Sequence, residues 1–134
     1  MFHVDETRLR QIAERYGLDL IVVFGSQVTG RARPGSDIDL AVRWVHRPWN
    51  DPDRELALVG ELTEAVWGRG DLDVSFVNGA DPLFLFEVAS DGQALYERQP
   101  VDFIEFQSYA ARRYYDAQKF FDRQWNDLKE RVLT

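Results

Sequence analysis

Hydrophobic positions change period several times along the chain, and each change marks an element. Between Thr7 and Tyr16, the residues Leu9, Ile12, Ala13 and Tyr16 fall on one face at helical spacing, with Asp5 placed to cap the start and Gly17 to end it. Leu20 to Phe24 is a continuous, largely β-branched run, the pattern of a strand buried on both faces. Gly25-Ser26 breaks that run. A short helix is expected from Ser26, then a loop carrying Gly30, Pro34 and Gly35. Ile38, Leu40 and Val42 alternate with Asp37, Asp39 and Ala41, which predicts a strand with one apolar face.

The second half continues in the same way. Asp51 is placed to cap a helix with Pro52 at its first position. That helix is expected to run to about Trp67 with Leu56, Val59, Leu62 and Val66 inward, and Gly68 and Gly70 stop it. Leu72, Val74 and Phe76 alternate with Asp71, Asp73 and Ser75 as a further strand. Phe84–Val88 and Ala94–Tyr96 flank Asp91-Gly92, reading as a short helix entering a strand. Residues 101–133 contain no glycine or proline and predict one long helix, with Phe103, Phe106, Tyr109, Phe120, Phe121 and Trp125 as one packing stripe on the domain's own sheet or, in part, on a partner, since Tyr114 and Tyr115 widen the apolar arc. The sum is an α/β (α+β) domain: a small mixed sheet of at least three strands with helices packed on one side.

Size and composition narrow the function. The chain has 134 residues and a mass of 15.6 kDa, which fits one domain with no second catalytic module. The expected division is a core at about 8–98 and a helical extension at about 101–133. There is no cysteine, so disulfides, zinc–thiolate sites and cysteine nucleophiles are excluded, and the two histidines, His3 and His46, are too isolated for a histidine metal cluster. Sixteen basic against 23 acidic residues give a net charge of −7. Direct nucleic-acid binding needs clustered Lys and Arg, and this balance argues against it. The apolar runs are far shorter than the roughly 20 residues of a membrane span. No secretory pattern opens the chain, so a cytoplasmic setting is expected.

The chemistry concentrates between Val22 and Leu40. A buried strand runs into Gly25, which lacks a Cβ and lets an anion approach the backbone. Ser26 supplies a hydroxyl at a helix start, where unpaired N–H groups point outward. Asp37 and Asp39, two apart on a strand, project from one face and repel each other. A divalent cation removes that conflict, and an all-oxygen set selects Mg²⁺ or Mn²⁺. Asp73, between Leu72 and Val74, supplies a third carboxylate if its strand lies beside the first pair, and Asp71 is the alternative. Three carboxylates with a phosphate-holding turn suit in-line displacement on a nucleotide phosphate.

Gly25-Ser26, ten residues and then Asp37-x-Asp39 resemble the signature of the DNA polymerase β-like nucleotidyltransferase superfamily. The fuller order narrows the likeness. It runs Phe24-Gly25-Ser26, Gly30, Ser36-Asp37-Ile38-Asp39-Leu40, Leu72-Asp73-Val74, Pro82-Leu83, Phe86-Glu87-Val88-Ala89, Gly92 and Leu95-Tyr96-Glu97. That order is similar to the minimal nucleotidyltransferases, the antitoxin halves of HEPN–MNT toxin–antitoxin pairs. The resemblance implies a nucleotidyltransferase fold and a transfer of AMP from ATP, dependent on two Mg²⁺. The implied acceptor is a tyrosine hydroxyl on a partner HEPN RNase toxin, which the transfer neutralises. It implies that Gly25 and Ser26 hold the triphosphate, that Asp37 and Asp39 bind the metals, and that Asp73 is the third catalytic carboxylate. Arg31 and Arg33 are weaker candidates for phosphate contacts. Ser75 departs from the pattern, standing where many relatives carry a further carboxylate.

Each element has an ordinary counterpart. Gly-Ser occurs at many turns, and Asp-x-Asp on an amphipathic strand is often a solvated face. Arg31 and Arg33 also read as solvated loop residues, Asn78 as a turn residue, Trp44 and His46 as surface packing, and Trp49 as core or interface rather than the mouth of a pocket for a base. The ordered conjunction carries the reading. Two alternatives keep part of it: a small-molecule nucleotidyltransferase of aminoglycoside type, and a catalytically silent antitoxin that acts by binding.

Overall fold

The computed structural model describes residues 2–33 and 35–133. Its elements are β1 (Phe2–Val4), α1 (Glu6–Tyr16), β2 (Leu18–Phe24), α2 (Ser26–Thr29), β3 (Ile38–Trp44), α3 (Pro52–Ala65), β4 (Val66–Gly68), β5 (Leu72–Phe76), α4 (Pro82–Asp91), β6 (Gln93–Glu97) and α5 (Asp102–Leu133). Helix starts follow local chemistry. The carboxylates of Asp5, Asp51 and Asp81 accept the N–H of Arg8, Arg54 and Phe84 at 3.0–3.1 Å, and Pro52 and Pro82 occupy first-turn positions. Gly17, at φ 76°, closes α1 by returning its N–H to the Ala13 carbonyl.

The main sheet has the order β5-β3-β2-β6. β2 runs antiparallel to β3 and β6, and β3 runs parallel to β5, so the sheet is mixed as expected. A parallel pair needs a long crossover, and α3 with β4 supplies it. β4 pairs antiparallel with β1 in a small separate ladder. Its presence shortens the expected third helix: α3 stops at Ala65, and Val66 to Gly68 are extended. The buried face of α3 is Leu58, Leu62 and Ala65, while Leu56, expected inward, is exposed.

Helices cover both faces of the sheet, which corrects the one-sided expectation. Ile21, Val23, Ile38, Leu40 and Val42 pack with Leu9 and Ile12 of α1 and Leu58 and Leu62 of α3. Leu20, Val22, Phe24 and Ala41 pack with Leu85 and Val88 of α4 and Phe106 and Ala110 of α5. The cause is the two-sided apolar run of β2, whose faces both need cover. Trp44, expected at the surface, belongs to the first core at 2% exposure, edge-on to Tyr16 and Phe76. His46 is exposed. Trp49 is exposed too, with the Arg47 guanidinium 4.1 Å from its ring.

The stripe on α5 does not pack on the sheet along its whole length. Phe103, Phe106 and Ala110 join the second core, but Phe120, Phe121 and Trp125 are exposed. α4 has ten residues against 32 in α5, about 15 Å against 48 Å, so the partner helix ends long before α5 does. α4 and α5 lie over β2 and β6. The starts of β3 and β5 stay open on that face.

Candidate active site

The open corner is built by three strand ends. β2 delivers Gly25 and Ser26 at its exit, and β3 and β5 begin beside it with Asp39 and Asp73. In the parallel register Asp39 stands opposite Asp73. Ile38, Leu40, Leu72 and Val74 face the α1/α3 core. By alternation, Asp39 and Asp73 share the other face. Asp37 precedes β3, and its Oδ1 accepts the backbone N–H of Asp71 at 3.2 Å. The Ile38 N–H donates to the Asp71 carbonyl at 2.9 Å, so the two strand starts are clamped together. Gly70 makes this approach possible: a Cβ there would lie 2.1 Å from the Ser36 carbonyl oxygen.

Asp39 is half-buried, whereas Asp37 and Asp73 are exposed. Burial, and then the charges of Asp73, Asp37 and Glu87, push the Asp39 carboxyl above its ordinary value. The register sets Asp73, not Asp71, opposite Asp39, which favours Asp73 as the third member of the group. Glu87, which the sequence motif contains without a role, is the further charge that acts on Asp39. It stands on α4, three residues after Phe84, whose ring meets Phe24 edge-on at 5.6 Å. The signal available was its place on the polar face of an amphipathic helix.

Gly25 has φ 76° and ψ −150°, and a Cβ there would sit 2.5 Å from Asp39 Oδ2. The glycine therefore lets the turn close against the carboxylate. α2 is a single turn, with the Val28 and Thr29 N–H groups donating to the Gly25 carbonyl at 3.1 Å. The N–H groups of Ser26 and Gln27 precede these, at the helix start. Gln27 ties the turn to the strand: its Nε2 donates to the Ser36 carbonyl at 3.1 Å, and its Oε1 is buried with no partner among the described residues. Arg31 is exposed in the intervening loop. Arg33 donates its backbone N–H to Ser36 Oγ at 2.8 Å and lines a cleft with His3, Gln27, Trp67 and Arg69. Neither guanidinium is among the charges that act on Asp39.

The donor set is oxygen throughout, which suits a hard divalent cation rather than zinc or copper. Among the described residues, no three acidic or histidine side chains are placed to hold a metal ion by themselves. An open pair of carboxylates is the usual protein share of a Mg²⁺ site, with phosphate and water completing it. The turn and the carboxylates thus form one acidic, glycine-lined corner, accessible from solvent, at which a phosphate chain and a cation can meet.

Residues 7–101 match the family described as "Polymerase beta, Nucleotidyltransferase". The protein adenylyltransferase MntA of Aphanizomenon flos-aquae (strain 2012/KM1/D3) is 32% identical over 108 residues, with 76% of this chain and 72% of that protein covered. Among solved structures, a toxin–antitoxin with AMP-PNP superposes with a TM-score of 0.67 at 21% identity, covering 93% of this chain and 98% of that one. The MNT antitoxin in complex with tri-AMPylated Shewanella oneidensis HEPN toxin gives 0.61 at 20% identity, covering 92% and 94%. The structural likenesses show the fold, and the family match and the sequence relative show the lineage. The chain belongs to the polymerase beta nucleotidyltransferase family, among its minimal members of MntA type.

Proposed function

We propose that this protein is an antitoxin that transfers AMP from ATP to a tyrosine hydroxyl of a partner HEPN RNase toxin and so neutralises it. The observation that carries the reading is the pairing of Asp39 with Asp73 on one sheet face, directly against Gly25. A relative 32% identical bears the name protein adenylyltransferase.

In the step, the tyrosine oxygen forms a bond to the α-phosphorus of ATP, the bond from that phosphorus to the bridging oxygen breaks, and pyrophosphate leaves. Gly25 and Ser26 hold the phosphate chain through backbone N–H groups and the hydroxyl. Asp37, Asp39 and Asp73 are the residues that would hold Mg²⁺ together with the phosphate chain, and the bound cation would neutralise charge developing on the phosphate oxygens. Asp73, exposed at the rim, takes the proton from the incoming hydroxyl. Arg31 and Arg33, in the exposed loop after Gly30, are assigned at most a lesser share in phosphate contact. Glu87 adds negative charge near Asp39 and strengthens the site's demand for a cation.

One domain carries this activity, with its core at about 8–98. The corner at Gly25, Asp37 and Asp73 is open to solvent, which favours a protein acceptor approaching that face. No helix of the described residues is long and apolar enough to cross a membrane, in keeping with a cytoplasmic site of action.

Labelled ATP and Mg²⁺ supplied to this protein with its HEPN partner test the reading. Label on a toxin tyrosine is expected. Label on a small amine or alcohol instead, or tight binding without transfer, overturns it.

A further inference from the structure

An apolar surface that the catalytic reading leaves unused is the free half of α5. Phe121, Trp125, Leu128 and Val132 recur along it at spacings of four, three and four, the seam of a helix that pairs with another helix. Their exposures are 65%, 60%, 50% and 73%. The seam prolongs the face that buries Phe106 and Ala110 upstream. It then runs roughly 20 Å beyond the end of α4.

The apolar positions, though not the residues that fill them, are symmetric about the Asn126–Asp127 peptide bond. Phe121 mirrors Val132, Trp125 mirrors Leu128, and Phe120 mirrors Leu133. We propose that this face pairs antiparallel with the same face of a second copy of the chain, about a two-fold axis at that bond. The inference does not depend on the catalytic reading. A self-mirrored seam fits an isologous contact, in which each Phe121 meets Val132 of the second copy and each Trp125 meets its Leu128.

Two further observations favour this occupant. In the antiparallel register, the flanking residues Asp122 and Lys129 of opposite copies face each other, giving an ion pair at each end of the seam. The same register ends the second helix beside an apolar cleft of about 550 Å³, lined by Pro82, Leu83, Tyr114, Ala117 and Phe121. Val132 and Leu133 of the second copy would then cover Leu83, which is 66% exposed. The seam and its neighbours offer roughly 600 Å² of apolar side-chain surface per copy, so a pair buries about 1,200 Å², the lower bound of a stable interface.

Sedimentation equilibrium on the full chain tests the proposal. A dimer is expected at tens of micromolar. Phe121→Glu with Trp125→Glu should make it monomeric with the sheet signal unchanged, since both residues are exposed. Asp122→Lys should weaken the dimer by about tenfold, and adding Lys129→Asp should restore it. A monomer at all concentrations, a dimer indifferent to the paired glutamates, or a charge reversal without rescue overturns the proposal. So does a monomeric chain whose seam variants lose only the capture of an added HEPN partner.

Discussion

Gly25 and Asp39 are in such close contact that a methyl group on the glycine would lie 2.5 Å from the carboxylate oxygen Oδ2. The glycine also holds φ 76° with ψ −150°, a region closed to other residues. Gly25→Ala therefore meets strain and collision together. It should cost about 1–3 kcal/mol of stability in a urea titration. It should also lower AMP transfer by on the order of 100-fold, because the carboxylate must move by a fraction of an ångström or more.

Asp39 itself should behave oppositely. Its carboxyl is held above the ordinary value by burial and by Asp73, Asp37 and Glu87, so the folded chain binds this proton more tightly than the unfolded chain. Stability then falls as pH rises through the window between the unfolded value and the raised folded value. Above that window the whole penalty is present. Asp39→Asn removes it. In a chelating buffer at pH 7 the variant should melt higher than the parent, and the gap should close on acidification below the ordinary value of 3.8. The same variant should have no transfer activity. A variant that melts lower at pH 7 would show that the carboxylate is structural.

Mg²⁺ and ATP together should raise the melting temperature more than either alone. At 100 times the dissociation constant the gain is about 2.7 kcal/mol. ATP with a chelator should give little of it, since the acidic corner repels the bare triphosphate. Equal shifts with and without the chelator would refute a cation-bridged nucleotide. Differential scanning fluorimetry suffices to read this.

Asn78 gives a test confined to the fold. Its Oδ1 accepts the Trp44 N–H at 2.8 Å, and its Nδ2 donates to the Trp44 carbonyl at 3.0 Å. The side chain thus extends the β3–β5 pairing by one residue. Asn78→Ala leaves both backbone groups half-buried and unpaired, and should cost about 1–3 kcal/mol in a denaturant titration. Transfer measured well below the melting temperature should be retained, because the site lies at the other end of the strands.

The sequence made local elements legible where one residue decides the matter. Asp5, Asp51 and Asp81 cap helices because a short carboxylate reaches an unpaired N–H, and that needs no tertiary context. Asp39 and Asp73 were readable as outward-facing because alternation fixes their side of a strand. Their adjacency was not, since it depends on a parallel crossover that pattern alone leaves open. Trp44 reads as superficial, beside Arg43 and near His46, until α1 and β5 close over it. Asn78 reads as a turn residue because its amide meets a backbone 34 positions away. The two-sided helix cover was implicit in the run from Leu20 to Phe24, which demands shielding above and below. Glu87 is in the sequence motif, but its role was hidden because the carboxyl it acts on lies on a different element.

Asp73 sits on the outermost strand of the sheet, which has the order β5-β3-β2-β6, and β3 is its one neighbour there. Detaching that edge costs far less than melting the whole domain. Deuterium uptake should therefore find β5 opening ahead of β2. A chain that is still fully folded by spectroscopy can in this way spend intervals without its third acidic group, and whatever fastens β5 in place would set the fraction of molecules competent to react.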